Sequence, residues 1–141
     1  MKLQLETHEG RNVFTGYGAH YVVVNHVRYE THLIVLPDSI ILDWNVMGFA
    51  GLTEQHFEHL VGLKPEIVLL GTGPTLRFPS PALTRCLTAS HIGLEVMDTR
   101  AACRTYNILS AEGRRVLAAL LVSQEFVGPG PHKLLVQDRR Q

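Results

Sequence analysis

The sequence is poor in the residues that announce chemistry. It has two cysteines, Cys86 and Cys103. They lie too far apart for a CxxC redox pair, and each falls in a stretch that reads as helix, so both are expected to be buried free thiols in a reducing compartment. Net charge is also lacking: thirteen Lys plus Arg balance thirteen Asp plus Glu. No overall field therefore draws the chain to nucleic acid or an acidic membrane surface, and neither is expected as a partner. Long hydrophobic runs are missing, since the stretches 67–70 and 116–122 fall far short of the ~20 residues that cross a bilayer, which argues against direct membrane insertion. The opening Met1-Lys2-Leu3-Gln4-Leu5-Glu6 meets an acid at once, with neither a signal-peptide core nor an Arg-rich transit character, so a bacterial, cytoplasmic protein is expected. His56 and His59 stand one helical turn apart without an HExxH carboxylate, so no metal and no cofactor are expected.

What is present is ample apolar material for one core. A chain of 141 residues fits a single domain, which at this size buries roughly 68 to 70% of its unfolded surface. The domain is expected over residues 1–126. Beyond it, Gly128-Pro129-Gly130-Pro131 and the charged end give residues 127–141 little to bury, and a flexible tail is expected there.

The first third is rich in β-branched and aromatic residues, as in Tyr21-Val22-Val23-Val24, Leu33-Ile34-Val35-Leu36 and Ile40-Ile41-Leu42, separated by turn residues at Asn25-His26 and Pro37-Asp38-Ser39. This predicts an antiparallel meander. From Thr53, an N-cap, the period changes to that of a helix ending near Gly62. Ile67-Val68-Leu69-Leu70 is an unbroken apolar run and is expected as the central strand. Ser80-Pro81 opens a second helix to about Ala89, 93–97 is the next strand in a right-handed parallel crossover, and Asp98 or Thr99 caps a third helix. The run 115–122 fits helix through its alanines and strand through its valines and leucines. Strand is the preferred reading.

Two places merit scrutiny as sites. Gly71-Thr72-Gly73 follows a buried strand at the carboxyl edge of a parallel sheet, where α/β folds bind ligands. It either turns the chain sharply or brings backbone amides, the Thr72 hydroxyl and the Arg77 guanidinium to an anion. It lacks both the third glycine of a dinucleotide fingerprint and a Walker lysine. Asp98 and Thr99 act as caps or as ligand contacts at the same edge, and Asn107 needs partners for its amide if it is buried. The second place is Trp44, with Met47 and Phe49, which forms either a partner-binding patch or a plug for one end of the core. No catalytic set accompanies either place.

The combination Gly71-Thr72-Gly73, Arg77-Phe78-Pro79, the strand 93–97, Asp98-Thr99, Ala101-Ala102-Cys103-Arg104-Thr105-Tyr106-Asn107 and Glu112-Gly113-Arg114 resembles the Mth938-like (DUF498) family. The resemblance implies an α/β, three-layer fold with a central mixed, mostly parallel sheet, flanking helices and an additional antiparallel N-terminal β layer. Because the family includes a mitochondrial complex I assembly factor, it also implies a non-enzymatic module that binds another protein and assists assembly of a respiratory or membrane complex. A small-molecule or anion site at the Gly71-Thr72-Gly73 loop, even an unrecognised enzyme, is the alternative. A homodimer paired through strand edges or the Trp44 loop is a third expectation.

Overall fold

The computed structural model describes residues 10–123. Among these residues three short strands come first: β1 (Phe14–Gly18), β2 (Tyr21–Val24) and β3 (Val27–Tyr29), paired as an antiparallel meander. Asn25 and His26 turn β2 into β3 with φ of 52° and 68°, the left-handed pair whose twist suits a tight hairpin. A second hairpin follows, β4 (Leu33–Leu36) with β5 (Ser39–Ile41). Next come a 3-10 turn (Phe49–Gly51), α1 (Glu54–Gly62), β6 (Ile67–Gly71), α2 (Pro81–Ala89), β7 (Gly93–Met97), α3 (Thr99–Ala111) and β8 (Val116–Leu120). Caps set the helix starts: the Thr53 and Ser80 side chains accept amides of the first turns of α1 and α2, and Pro81 sits at the first position of α2.

β4 to β8 form one mixed sheet in the order β5-β4-β8-β6-β7, in which β8, β6 and β7 run parallel and β4 is antiparallel to both its neighbours. The strand over 67–70 is interior, as expected, but the middle position belongs to β8. That run is strand, in keeping with the preferred reading: every residue from Val116 to Leu120 is buried, and Ala118 and Ala119 leave room for the layers packed on both faces.

The period-two alternation of the sheet sorts the core into two. Leu33, Val35, Leu69, Val116, Ala118 and Leu120 face α3 and the three-stranded sheet, together with Phe14, Val22, Val24, Cys103 and Tyr106. Ile34, Leu36, Val68, Leu70, Leu117 and Ala119 face α1 and α2 with Phe57, Leu60, Leu87 and Trp44. The result is three layers, with the N-terminal meander sharing its layer with α3. The Phe14 and Tyr106 rings meet edge to face at 5.1 Å and join meander to helix. The expected boundary at residue 126 and the tail 127–141 lie outside the described residues.

Candidate functional site

Strands β8, β6 and β7 run in one direction, so their carboxyl ends share one edge. Gly71 closes β6 there and lies hard against the start of α3. A Cβ on it would stand 2.8 Å from Leu120 Cδ2 and 3.0 Å from both Cα and Oγ1 of Thr99. Gly73 takes φ of +96°, a conformation that side chains disfavour. Its amide donates to Thr99 Oγ1 at 2.8 Å, and that hydroxyl donates to the Leu121 carbonyl at 2.9 Å. The Thr99 amide donates in turn to the Gly73 carbonyl at 2.9 Å. Thr99 therefore laces together the ends of β6 and β8 and the first turn of α3.

Thr72, Arg77 and Asp98 at this edge are already hydrogen-bonded within the chain. Thr72 donates to the Thr75 carbonyl at 2.7 Å and accepts the Arg77 amide at 3.2 Å. Arg77 Nη2 donates to the Thr72 carbonyl at 3.0 Å. Asp98 caps α3 by accepting the Ala101 amide at 2.9 Å. Asn107 lies two turns further along α3, where it grips Phe14 of β1 through both backbone groups.

Gly73 and Thr99 line a partly open cavity of about 150 Å³ between this edge and the β1–β2 turn, with Pro74, Arg100, Leu121 and Val122 on one side and His20 and Tyr21 on the other. Of the residues singled out from the sequence, Gly73 and Thr99 reach the cavity; Gly71, Thr72, Arg77, Asp98 and Asn107 are not among its lining residues. Neither His20 nor Arg100 is legible as a site residue in the sequence, where Arg100 only shares a helix face with Arg104, because the two are distant in sequence and come together only through the packing of the meander beside α3.

The segment 43–53 crosses the opposite face of the sheet. Trp44 is only 3% exposed and belongs to the core there, so its ring is not part of the outer surface. His56 meets it edge on, with ring centroids 6.2 Å apart. The same imidazole accepts the Thr53 amide at Nδ1 (2.9 Å) and donates from Nε2 to the Asn45 carbonyl (2.7 Å), which ties the segment to α1. Met47 and Phe49 differ from Trp44: Met47 is 86% exposed, and Phe49 is half-buried beneath the Arg77 guanidinium, 4.6 Å from its ring centroid. Leu76 and Phe78, which flank Arg77, are 50% and 70% exposed. The Arg77–Phe49 stack thus brings the segment that carries exposed Met47 against the loop that carries exposed Leu76 and Phe78, two stretches that the sequence presented separately.

Among the described residues no group of three or more His, Cys, Asp or Glu is arranged to hold a metal ion, and no helix is long and apolar enough to cross a membrane. Burial pushes the Cys103 thiol from its ordinary 9.0 to about 12, and burial followed by the nearby Glu58 carboxylate raises that of Cys86. Both are protonated thiols at neutral pH rather than activated nucleophiles.

This is a three-layer α/β domain with a mixed sheet and an appended antiparallel meander. The chain belongs to the family described as "Protein of unknown function (DUF498/DUF598)", which it matches over residues 14–121. It is 37% identical over 107 residues to the Bos taurus protein named NADH dehydrogenase [ubiquinone] 1 alpha subcomplex assembly factor 3, covering 74% of this chain and 58% of that protein. The chain therefore spans little more than half the length of that curated relative. A crystal structure of a Bordetella parapertussis protein superposes with a TM-score of 0.77 at 41% identity, over 83% of this chain and all of the other (100%). A Bordetella pertussis structure described as a Mth938-like domain gives 0.74 at 34% identity, over 90% of this chain and 96% of its own.

Proposed function

We propose that this domain is a protein-binding module of the assembly-factor kind, which assists formation of a respiratory or membrane complex through its surface rather than by catalysis. The observation that carries this reading is the Arg77–Phe49 stack, which brings the segment of exposed Met47 to the loop of exposed Leu76 and Phe78. Exposed Met and aromatic side chains grouped on a fixed base are what protein interfaces use as anchors. The name of the bovine relative supports the same reading. Leu76 and Phe78 are placed by a loop closed through Thr72 and Arg77, and Phe49 is held by the cation above it, so little ordering entropy remains to be lost on binding.

Site-specific photocrosslinking in cells tests it. A photoreactive residue at position 47 or 78 is expected to give discrete adducts that disappear in the Phe49→Asp background. The same group at position 112, on the other side of the sheet, is expected to give none. Equal labelling from all three positions, or none from 47 and 78, overturns the proposal.

A further inference from the structure

We infer that the cavity between the β1–β2 turn and the carboxyl edge of the sheet is a binding site for a small monocarboxylate with an aliphatic body. Its walls are of two kinds. The lining is largely apolar: Val122, 5% exposed, Pro74 and Tyr21 with its ring contribute to it, beside Leu121, whose side chain packs in the core on the other face of the sheet. That ring is fixed in place, since it lies directly against Gly18 while the Arg28 guanidinium stacks 3.8 Å from its centroid. The mouth carries two side chains with donors to spare, Arg100 and His20, and neither makes a hydrogen bond or ion pair with any described residue. Among the described residues no carboxylate lines the cavity, and that of Asp98 is turned onto the Ala101 amide.

The division of labour in recognition follows from what is already satisfied. The Gly73 amide and the Thr99 hydroxyl use each other, so the glycine turn shapes the site without supplying donors to it. Charge recognition falls to Arg100, whose planar fork suits the two oxygens of a carboxylate, with His20 as a second donor across the mouth. The body of the ligand must then satisfy the apolar wall. An inorganic anion such as phosphate would leave that wall uncovered and bring its remaining oxygens against it, which costs binding energy. Size sets the other limit: a cavity of about 150 Å³ is comparable to one that holds benzene, so the ligand has about six non-hydrogen atoms.

Butyrate is a suitable probe, followed by amide-resolved NMR titration of the whole chain, with butyramide as its neutral isostere and inorganic phosphate as the all-polar anion. The expected result is saturable shifts at the amides of Gly73, Arg100 and Leu121 with butyrate, and clearly weaker binding of the other two. Arg100→Gln is expected to weaken butyrate by roughly tenfold or more, with an unchanged melting temperature because the side chain is exposed. Three results overturn the inference: no saturable shifts at these amides with butyrate, equal affinity in Arg100→Gln, or phosphate binding as tightly as butyrate. His20→Gln keeps a donor and removes the imidazole. If it binds as wild type while Arg100→Gln does not, the arginine fork carries the recognition, as inferred.

Discussion

Asn107 of α3 behaves towards Phe14 as a neighbouring strand would. Its Oδ1 accepts the Phe14 amide at 2.9 Å and its Nδ2 donates to the Phe14 carbonyl at 2.8 Å, so one side chain satisfies both backbone groups of a β1 residue. Replacement by Ala or Leu strands both groups in a partly buried place. A loss of about 2–3 kcal/mol is expected from two such bonds, read by urea unfolding. Asn107→Asp keeps the acceptor but removes the donor, and is expected to fall between wild type and Ala.

Two glycine-to-alanine changes should have opposite signs. At Gly71 the added carbon meets Leu120 Cδ2 at 2.8 Å and the Thr99 backbone at 3.0 Å, and backbone cannot step aside cheaply. A destabilisation of about 2 kcal/mol or more is expected. At Gly62, the last residue of α1, nothing lies within 4 Å of the new carbon. Gly62→Ala is expected to stabilise by about 0.5–1 kcal/mol by restricting the unfolded chain. Thermal melts of the two variants side by side check both signs.

Arg77→Lys keeps the charge and loses the planar group. The guanidinium bonds the Thr72 carbonyl and covers the Phe49 ring at the same time, which an ammonium on a flexible stem cannot reproduce. A loss of about 1–2 kcal/mol is expected, and if the placement of Phe78 depends on this stack, crosslinking from position 78 should weaken with it. Wild-type stability in the lysine variant would show that the loop closes without the fork.

The expected alkaline behaviour follows from Cys103. Burial raises its folded-state pKa from 9.0 to about 12. The unfolded chain therefore releases this proton first, and the contribution is complete below pH 9 and is lost as pH rises towards 12. Burial of the Tyr106 hydroxyl raises its pKa as well and acts in the same sense. Unfolding free energy should fall by up to ~1.4 kcal/mol per pH unit for each such group, from above pH 9 for Cys103 and from above pH 10 for Tyr106. Cys103→Ala is expected to show a shallower slope, and an unchanged slope would exclude the thiol as its source.

Much of the fold is local in origin and could be read along the chain. The change from period two to period 3.6 at Thr53, the Ser80-Pro81 start of α2 and the Asp98 cap each depend on neighbours within a turn. The missing parts depend on pairings between distant residues. That β8, not β6, takes the middle of the sheet follows from its antiparallel contact with β4, which no local pattern expresses. The Asn107 clamp joins residues separated by 93 positions. His20 likewise shows no chemistry in its own hairpin, and only the seam with α3 brings it opposite Arg100. Trp44 could be read either way from sequence, because an aromatic after a strand closes a core or opens a surface according to what arrives from α1.

Trp44 is also the chain's single tryptophan. It sits under the segment that carries Met47 and Phe49, with the His56 ring edge on to it. The domain thus contains its own optical reporter, in one place and free of background from other indoles. Any event that shifts the segment above the ring will change the colour or intensity of its emission, while events at the seam beyond the sheet will leave it dark to the observer. One label-free spectrum can therefore tell which face of the molecule has been engaged.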